Sequence, residues 1–509
     1  MTPPPGRDRR ARMLPAPSGT PTPAGTAPHA VVVGGGIAGL AAATALAERG
    51  VRVTVLERRP MLGGRLAGWP VDLRDGTRVT MSRGFHAFFR QYYNLRALLR
   101  RTDPDLGRLT ALPDYPLRHS AGYRDGFARV PRTPPWNVLG FVARSPSFGV
   151  RDLLAMDARA ALPLLDVRVP DVYERLDEVG AADFLAAIRF PPAAAHLAFE
   201  VFSRSFFVDP ARLSAAELAL MFHIYFLGSA EGLLFDVPNQ PFPTALWDPL
   251  AHYLRDRGVD VRTDAVVEAI QPASPHRHRV ATAGPELVCD AVVLALDTHG
   301  LRDLVAASPQ VGDHDWRTRV AALRTAPPFV VSRLWLDRRV RSERPGFLGT
   351  SGYGPLDNVS VLERWEDEAA RWARRTGGSV IELHAYAVPE GADRTAVQDH
   401  LLAQLRRLYP EIEHARVLDA RHEWHADCPL FAVGGHRHRP TVHTPHPTLM
   451  LAGDLVRTDL PVALMERAAT TGFLAANALL RRWGIRGHAL WTVPRAGRSR
   501  TLRALARRW

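Results

Sequence analysis

The chain has 509 residues, 46% hydrophobic and 23% charged, the balance of a soluble protein with material for more than one domain. Its two cysteines, Cys289 and Cys428, exclude a disulfide framework and suit a reducing cytoplasm. The formal charge is +13 with no lysine at all, which excludes Schiff-base chemistry on a lysine amine.

The excess of arginine reads as compositional bias, although a basic surface also suits anionic lipid. Neither zinc-finger spacing nor an RNA-binding aromatic signature is present, so nucleic acid is not an expected partner. Residues 1–28, rich in Pro, Thr, Ala and Arg, are expected to be a disordered tail. No apolar run follows Arg9-Arg10, so a signal peptide is not expected.

Residues 30–57, AVVVGGGIAGLAAATALAERGVRVTVLE, read as strand, glycine turn, helix, turn and strand. Val31 to Val33 form a β-branched run suited to a strand buried on both faces. Gly34, Gly36 and Gly39 have the G-x-G-x-x-G spacing of a dinucleotide turn. The first permits the turn, the second admits the pyrophosphate to the backbone, and the third lets the helix pack on the strand. The helix N-terminus offers free N–H groups to the phosphates. Gly50 ends the helix, and Glu57 closes the second strand where a carboxylate would hold a ribose hydroxyl. Gly63-Gly64-Arg65 is placed to form a second glycine turn against the cofactor, with Arg65 suited to its phosphates.

Residues 83–99, RGFHAFFRQYYNLRALL, are dense in aromatics around His86. Two readings stay open: a core helix start with a satisfied histidine, or an aromatic wall on which His86 is an acid or base. Prolines interrupt residues 113–165, within which Trp136, Val138, Leu139, Phe141 and Val142 form either a core element or a membrane-interface patch. Residues 171–235 read as largely helical, with Ser214 and Glu217 in capping-box spacing. Phe202, Phe206, Phe207, Phe222, Tyr225 and Phe226 suit a core or the wall of an apolar tunnel. Leu218 to Gly228, the longest strongly apolar run, is too short to span a bilayer.

From Thr244 the α/β pattern returns: a helix, VDVRTDAVVEAI as a strand pair, and a buried strand within 290–296. Further strands are expected at Phe329 to Trp335, Val359 to Leu362 and Val380 to Tyr386. His422 and His425 lack the H-E-x-x-H spacing, and the loop carrying His436, His438, His443 and His446 has no carboxylate or cysteine spaced to complete a metal site, so no metal is expected. Leu449 to Leu451 read as a strand, Gly453 as a turn, Asp454 as its acid, and Pro461 to Leu480 as a long helix with small residues. The basic tail beyond Trp483 reads as a frayed, solvated end or an anionic-lipid contact.

Together GGGIAGLAAA with VTVLE, LGGR, and LAGD with ERAATTGFLAAN resemble the flavin amine-oxidase and carotenoid-desaturase superfamily over roughly residues 30–480. RGFHAFFRQYYNL and LAGDLVRTDLPVALMERAATTG resemble its β-carotene desaturase/methyltransferase branch, the isorenieratene synthases. The resemblance implies an α/β fold, with a Rossmann-like FAD-binding domain assembled from segments 29–100, 244–305 and 429–484. It implies a helical, membrane-facing substrate segment at 101–243, an α+β substrate domain at 306–428, and a basic tail at 485–509. FAD is implied at Gly34, Gly36, Ile37, Ala38, Gly39, Glu57, Arg58, Gly64, Arg65, Val267, Gly453, Asp454 and Val462, with His86, Phe85 and Tyr92 catalytic.

The implied reaction aromatises the β-ionone rings of β-carotene by desaturation with a 1,2-methyl shift. Phe85, Phe88, Phe89 or Tyr92 would stabilise a ring cation and His86 would take a proton. The implied partners are β-carotene, a membrane surface reached from the cytoplasm, and an electron acceptor such as quinone or oxygen. The missing lysine departs from amine oxidases, which use one to hold a water beside the flavin. Desaturation or isomerisation of a linear carotene, or a redox-silent flavin scaffold, is the alternative.

Overall fold

The computed structural model describes residues 6–191, 194, 206–274, 276–501 and 503–504; Phe202 and the end of the basic tail lie outside them. At its centre five parallel strands run in the order Asp260–Arg262, Arg52–Leu56, His29–Val33, Ala291–Leu294, Leu449–Leu451. His29–Val33 is buried at every residue, which is why its sequence is continuous rather than alternating. Strands from 29–56, 260–294 and 449–451 share this sheet, so the Rossmann-like layer is assembled from separated segments.

Helix Ile37–Ala47 packs along helix Leu464–Arg482. A Cβ at Gly472 would stand 2.2 Å from the Ala38 carbonyl oxygen, so the small residues of the long helix set this contact. The expected strand pair is two strands of different sheets: Asp260–Arg262 edges the parallel sheet, while Val267–Ser274 pairs antiparallel with Arg277–Thr282. Local spacing gave two strands correctly, but their partners are remote in sequence.

A seven-stranded sheet forms the second layer, in the order Val417–His425, Phe329–Leu336, Ser379–Ala385, Asn358–Val361, Phe347–Ser351, Leu117–His119, Arg124–Asp125. Its last two strands come from the segment expected at 101–243, so the sheet is not confined to 306–428. The side chains of Ser379–Ala385 alternate as strand geometry requires. Ile381 and Leu383 pack with Leu401 and Leu405 of helix Arg394–Leu408, which leaves Glu382 and His384 for the opposite face.

The helical segment holds Ala181–Ala187 and Ala215–Phe222, the latter running into a wider turn at His223–Leu227. Ser214 caps its helix through the Ala216 N–H at 3.2 Å. Glu217 does not close a capping box; it binds Arg439 at 2.8 Å and Arg467 at 2.9 Å in a buried triad.

Both tails depart from the expectation of disorder. Arg12–Leu14 pairs antiparallel with Leu490–Thr492, Thr20 exchanges backbone hydrogen bonds with Gly484 and Arg486, and buried Asp8 pairs with Arg498. Neither tail has an apolar periodicity of its own; each is ordered by the other.

Candidate active site

A cavity of about 600 Å³ extends between the C-terminal ends of the parallel strands and the face of the seven-stranded sheet. At one end Gly36 precedes helix Ile37–Ala47, and Gly34, Gly36, Ile37 and Ala38 line the wall. Gly39 faces away from the cavity; a Cβ there would stand 1.9 Å from the Gly34 carbonyl oxygen. Glu57 Oε2 accepts from the Gly35 N–H at 2.7 Å, which fixes the carboxylate at the strand end beside the glycine turn. Arg58 lines the same end and pairs with Asp297 at 2.8 Å; Val267 lines it from the strand opposite.

Gly64, at the start of the short helical turn Gly64–Leu66, faces Gly36: a Cβ on Gly64 would lie 3.1 Å from the Gly36 Cα. Arg65 reaches Asp454 at 2.5 Å. Burial opposes the charge of Arg65, but Asp454 outweighs it and holds the guanidinium firmly protonated. Gly453 lines the cavity and donates its N–H to Thr471 Oγ1 at 2.9 Å. Helix N-terminus, strand-end carboxylate and the glycine-only gap are the shape and donor set that a dinucleotide needs, so FAD fits these residues. Val462 is the exception: it is buried off the cavity, its carbonyl accepts from Arg467 Nε at 3.0 Å, and the helix meets the cavity through Leu464, Met465 and Ala468 instead. The chain turns sharply there, with Leu464 at φ +53°, so the residue that reaches the wall lies two positions later.

The other end is aromatic. Phe85 stacks on Phe347 with centroids 4.2 Å apart, and Phe89 meets Tyr225 at 4.7 Å and Phe235 at 5.4 Å. Tyr92 lines this wall, its phenol pushed up in pKa by burial. Phe88 does not: it is fully buried in the nucleotide-domain core. Phe206 and Phe207 line the cavity, whereas Phe222 and Phe226 stack on each other at 5.3 Å outside it.

His86 lies between the two ends. Burial pushes its imidazole down to about 4, against the hydrogen bond to the Gly84 carbonyl. Nδ1 is 2.9 Å from that carbonyl oxygen and so carries the proton, leaving Nε2 as an acceptor at neutral pH. Cys428 also lines the wall, its thiol raised to about 11 by burial and therefore protonated.

Sequence reasoning missed a polar group among these aromatics: Asp357, Asn358, His384 and Tyr386. Glu382, His384 and Tyr386 fall at alternate positions of IELHAY, a spacing that puts charged and titratable side chains on one strand face. That alternation was the available signal.

Residues 37–480 match the family described as flavin containing amine oxidoreductase. The chain belongs to that family. Solved structures of two oxidases share its fold at low identity. A putrescine oxidase with bound putrescine superposes with a TM-score of 0.65 at 19% identity, over 89% of this chain and 99% of that one. Cyclohexylamine oxidase from Brevibacterium oxydans gives 0.64 at 14%, over 90% and 99%. Among sequence relatives, the carotenoid phi-ring synthase of Streptomyces griseus is 70% identical, covering 98% of this chain and 97% of that protein. The carotenoid phi-ring synthase of Chlorobaculum tepidum is 28% identical over 93% and 91%. The flavin cofactor accords with the glycine cradle described above.

Proposed function

We propose that this chain is an FAD-dependent carotenoid oxidoreductase that aromatises the β-ionone rings of β-carotene. The observation that carries the reading is the 70% identity, over 98% of the chain, to a carotenoid phi-ring synthase. The aromatic wall supports it, since a hydrocarbon ring offers only dispersion and π contacts to bind. So does the absence of lysine, because no ammonium substrate has to be deprotonated.

Aromatisation requires each ring to give up two hydrides and two protons while one methyl of the geminal pair moves to the neighbouring carbon. FAD, when bound, supplies the oxidation by accepting hydride. The protein's part is orientation, exclusion of water, cation stabilisation and proton handling. Phe85, Phe89 and Tyr92 present aromatic faces to the developing ring cation. The lone pair on His86 Nε2 takes a proton: although its basicity is weak, a ring carbocation is a far stronger acid. Gly34, Gly36, Glu57 and Arg58 would hold the nucleotide, and Gly64, Arg65 and Asp454 line the same cavity.

Among the described residues no helix is long and apolar enough to cross a membrane. The proposed route to an apolar substrate is therefore contact with one bilayer face. Trp136, Leu139, Val150 and Leu154 are 63%, 56%, 75% and 81% exposed on two short consecutive helices, an apolar display that a membrane surface would cover. Electrons then pass to an acceptor of the quinone or oxygen class.

Pigment analysis of β-carotene-producing bacteria expressing this chain tests the reading. The expected product keeps the carbon count of β-carotene and has fewer hydrogens, with His86→Ala reducing its yield about a hundredfold. Conversion only of linear carotenes would replace the proposal with a linear-chain desaturase.

A further inference from the structure

Two protons must leave each ring, and His86 accounts for one acceptor. The second set of proton-handling groups at the cavity lies on the seven-stranded sheet. Glu382 faces Arg333 across the strand pair and binds it at 2.9 Å, both side chains buried. Its other oxygen accepts the Phe85 N–H at 2.7 Å and lies 3.0 Å from His384 Nε2. The carboxylate is ionised: burial raises its pKa, but Arg333 and His384 outweigh burial and bring it to about 2. An ionised carboxylate only accepts, so His384 Nε2 carries the ring proton and Nδ1 is left as the acceptor.

The Tyr386 hydroxyl is 2.8 Å from that Nδ1 and donates to it, while Asn358 Nδ2 donates to the tyrosine oxygen at 3.0 Å. Carboxylate, imidazole and phenol thus form one directed chain that ends on a hydroxyl at the cavity wall. The same order of groups activates the hydroxyl of a hydrolase, with tyrosine here in place of serine. A hydrocarbon pocket has no use for a buried relay of this kind as a binding surface, because polar groups facing an alkane lose their water without gaining a partner.

We propose that Tyr386, backed by His384 and Glu382, takes one of the two protons lost from the ring. This rests on the functional reading above and adds to the role of His86. In the step, a ring C–H bond breaks and its electron pair becomes a ring double bond, quenching the carbocation that hydride loss leaves, bound FAD being the group that would accept that hydride. The proton bonds to the Tyr386 oxygen as the tyrosine's own proton moves to His384 Nδ1. The resulting imidazolium is held beside Glu382 and returns its proton to water between turnovers. Tyr386 is the catalytic residue; His384 and Glu382 are positioning residues that act through it. Gly84 keeps the relay close to His86, since a Cβ there would lie 2.5 Å from the His384 ring.

The test uses the purified flavin-loaded protein with β-carotene in liposomes. Tyr386→Phe removes only the hydroxyl and keeps the ring that packs 4.9 Å from Phe207. His384→Gln keeps hydrogen-bonding atoms on both sides and cannot take up a proton. Both should retain flavin content and carotenoid binding within about twofold, while aromatic rings formed fall about a hundredfold. Wild-type aromatisation should slow in D2O, because the Tyr386 and His384 protons exchange with solvent; the residual activity of the variants should not. A purely structural role would leave that solvent dependence in place. If wild type converts β-carotene and either folded variant matches its rate and its D2O response, the relay is overturned. A wild type that leaves β-carotene unchanged overturns the functional reading and the relay's role with it.

Discussion

At the end of the cavity proposed for the nucleotide the wall is largely backbone: Gly34, Gly36 and Gly64, a helix N-terminus and one strand-end carboxylate, all within residues 34–64. At the end proposed for the carotenoid ring the wall is made of side chains from four distant stretches, Phe85 to Tyr92, Tyr225, Phe347 to Asn358, and His384 to Tyr386. The first construction is local and depends on the absence of Cβ atoms. The second depends on sheet register and on buried polar pairs. The nucleotide end should therefore be intolerant of added atoms, and the ring end of deleted charges and hydroxyls.

The largest effect is expected from Gly39→Ala. A methyl 1.9 Å from the Gly34 carbonyl oxygen forces the helix off the strand. The cost should exceed about 4 kcal/mol, the range of severe core defects. Folded, yellow protein should be lost, as read by flavin absorbance per chain after purification. A variant with normal flavin content would break the contrast between the two ends.

Next is the joint that ties them together. Glu217 belongs to the helical segment, Arg467 to the long helix of the nucleotide domain, and Arg439 to the loop before Leu449–Leu451. Glu217→Gln leaves two buried guanidiniums without a counter-charge, at a cost of about 3–5 kcal/mol in denaturant unfolding. The pH dependence has a definite sign. Burial raises the Glu217 pKa, yet Arg467 and Arg439 bring it to about 2, below the ordinary 4.5. Its contribution is present above pH 4.5 and is lost as pH falls toward 2. The variant's acid-unfolding curve should lack that component.

The contrast also explains what was legible in the sequence. G-x-G-x-x-G, the strand-end Glu57, Gly64-Arg65 and Gly453-Asp454 are short-range patterns whose spacing is the geometry, so the parallel sheet and the glycine-lined end of the cavity can be read directly. Val462 lies off the cavity wall because the chain turns at Leu464, where the helix begins. Arg333, Glu382 and Asn358 carry no meaning until strand register sets Arg333 opposite Glu382 and Asn358 opposite His384. The tails were misread for the same reason, since Arg12–Leu14 has the pattern of a strand only beside Leu490–Thr492.

A smaller effect sharpens the comparison from the interior. Glu466 accepts the N–H groups of Asn94 and Leu95 at 2.8 and 2.9 Å, yet burial still raises its pKa to about 8. A folded value above the ordinary 4.5 means that stability declines as pH rises from about 4.5 through 8. Glu466→Gln removes that slope and weakens one of two hydrogen bonds, a net change of about 1 kcal/mol near neutral pH. Thermal melts across that range should cross: the variant less stable in acid and more stable in mild alkali. Parallel melting curves would show that Glu466 carries its charge without penalty.

The smallest effect on stability, and the most telling for substrate delivery, concerns the exposed helices. Trp136 and Leu139 are three residues apart on one helix, and Val150 and Leu154 four apart on the next, so each pair shares a face. Arg144 and Arg151 are exposed beside them, the arrangement of an amphipathic contact that inserts apolar side chains and leaves cations at the headgroups. These apolar side chains project into solvent, so Leu139→Ser with Leu154→Ser should leave unfolding free energy within about 0.5 kcal/mol. Their burial in lipid is worth about 1.5–3 kcal/mol per side chain, so binding to anionic vesicles should weaken by tenfold or more. Turnover of β-carotene supplied in liposomes should fall with it, whereas turnover of detergent-dispersed β-carotene should not. Equal losses in both assays would place the two leucines in folding or catalysis instead of membrane contact.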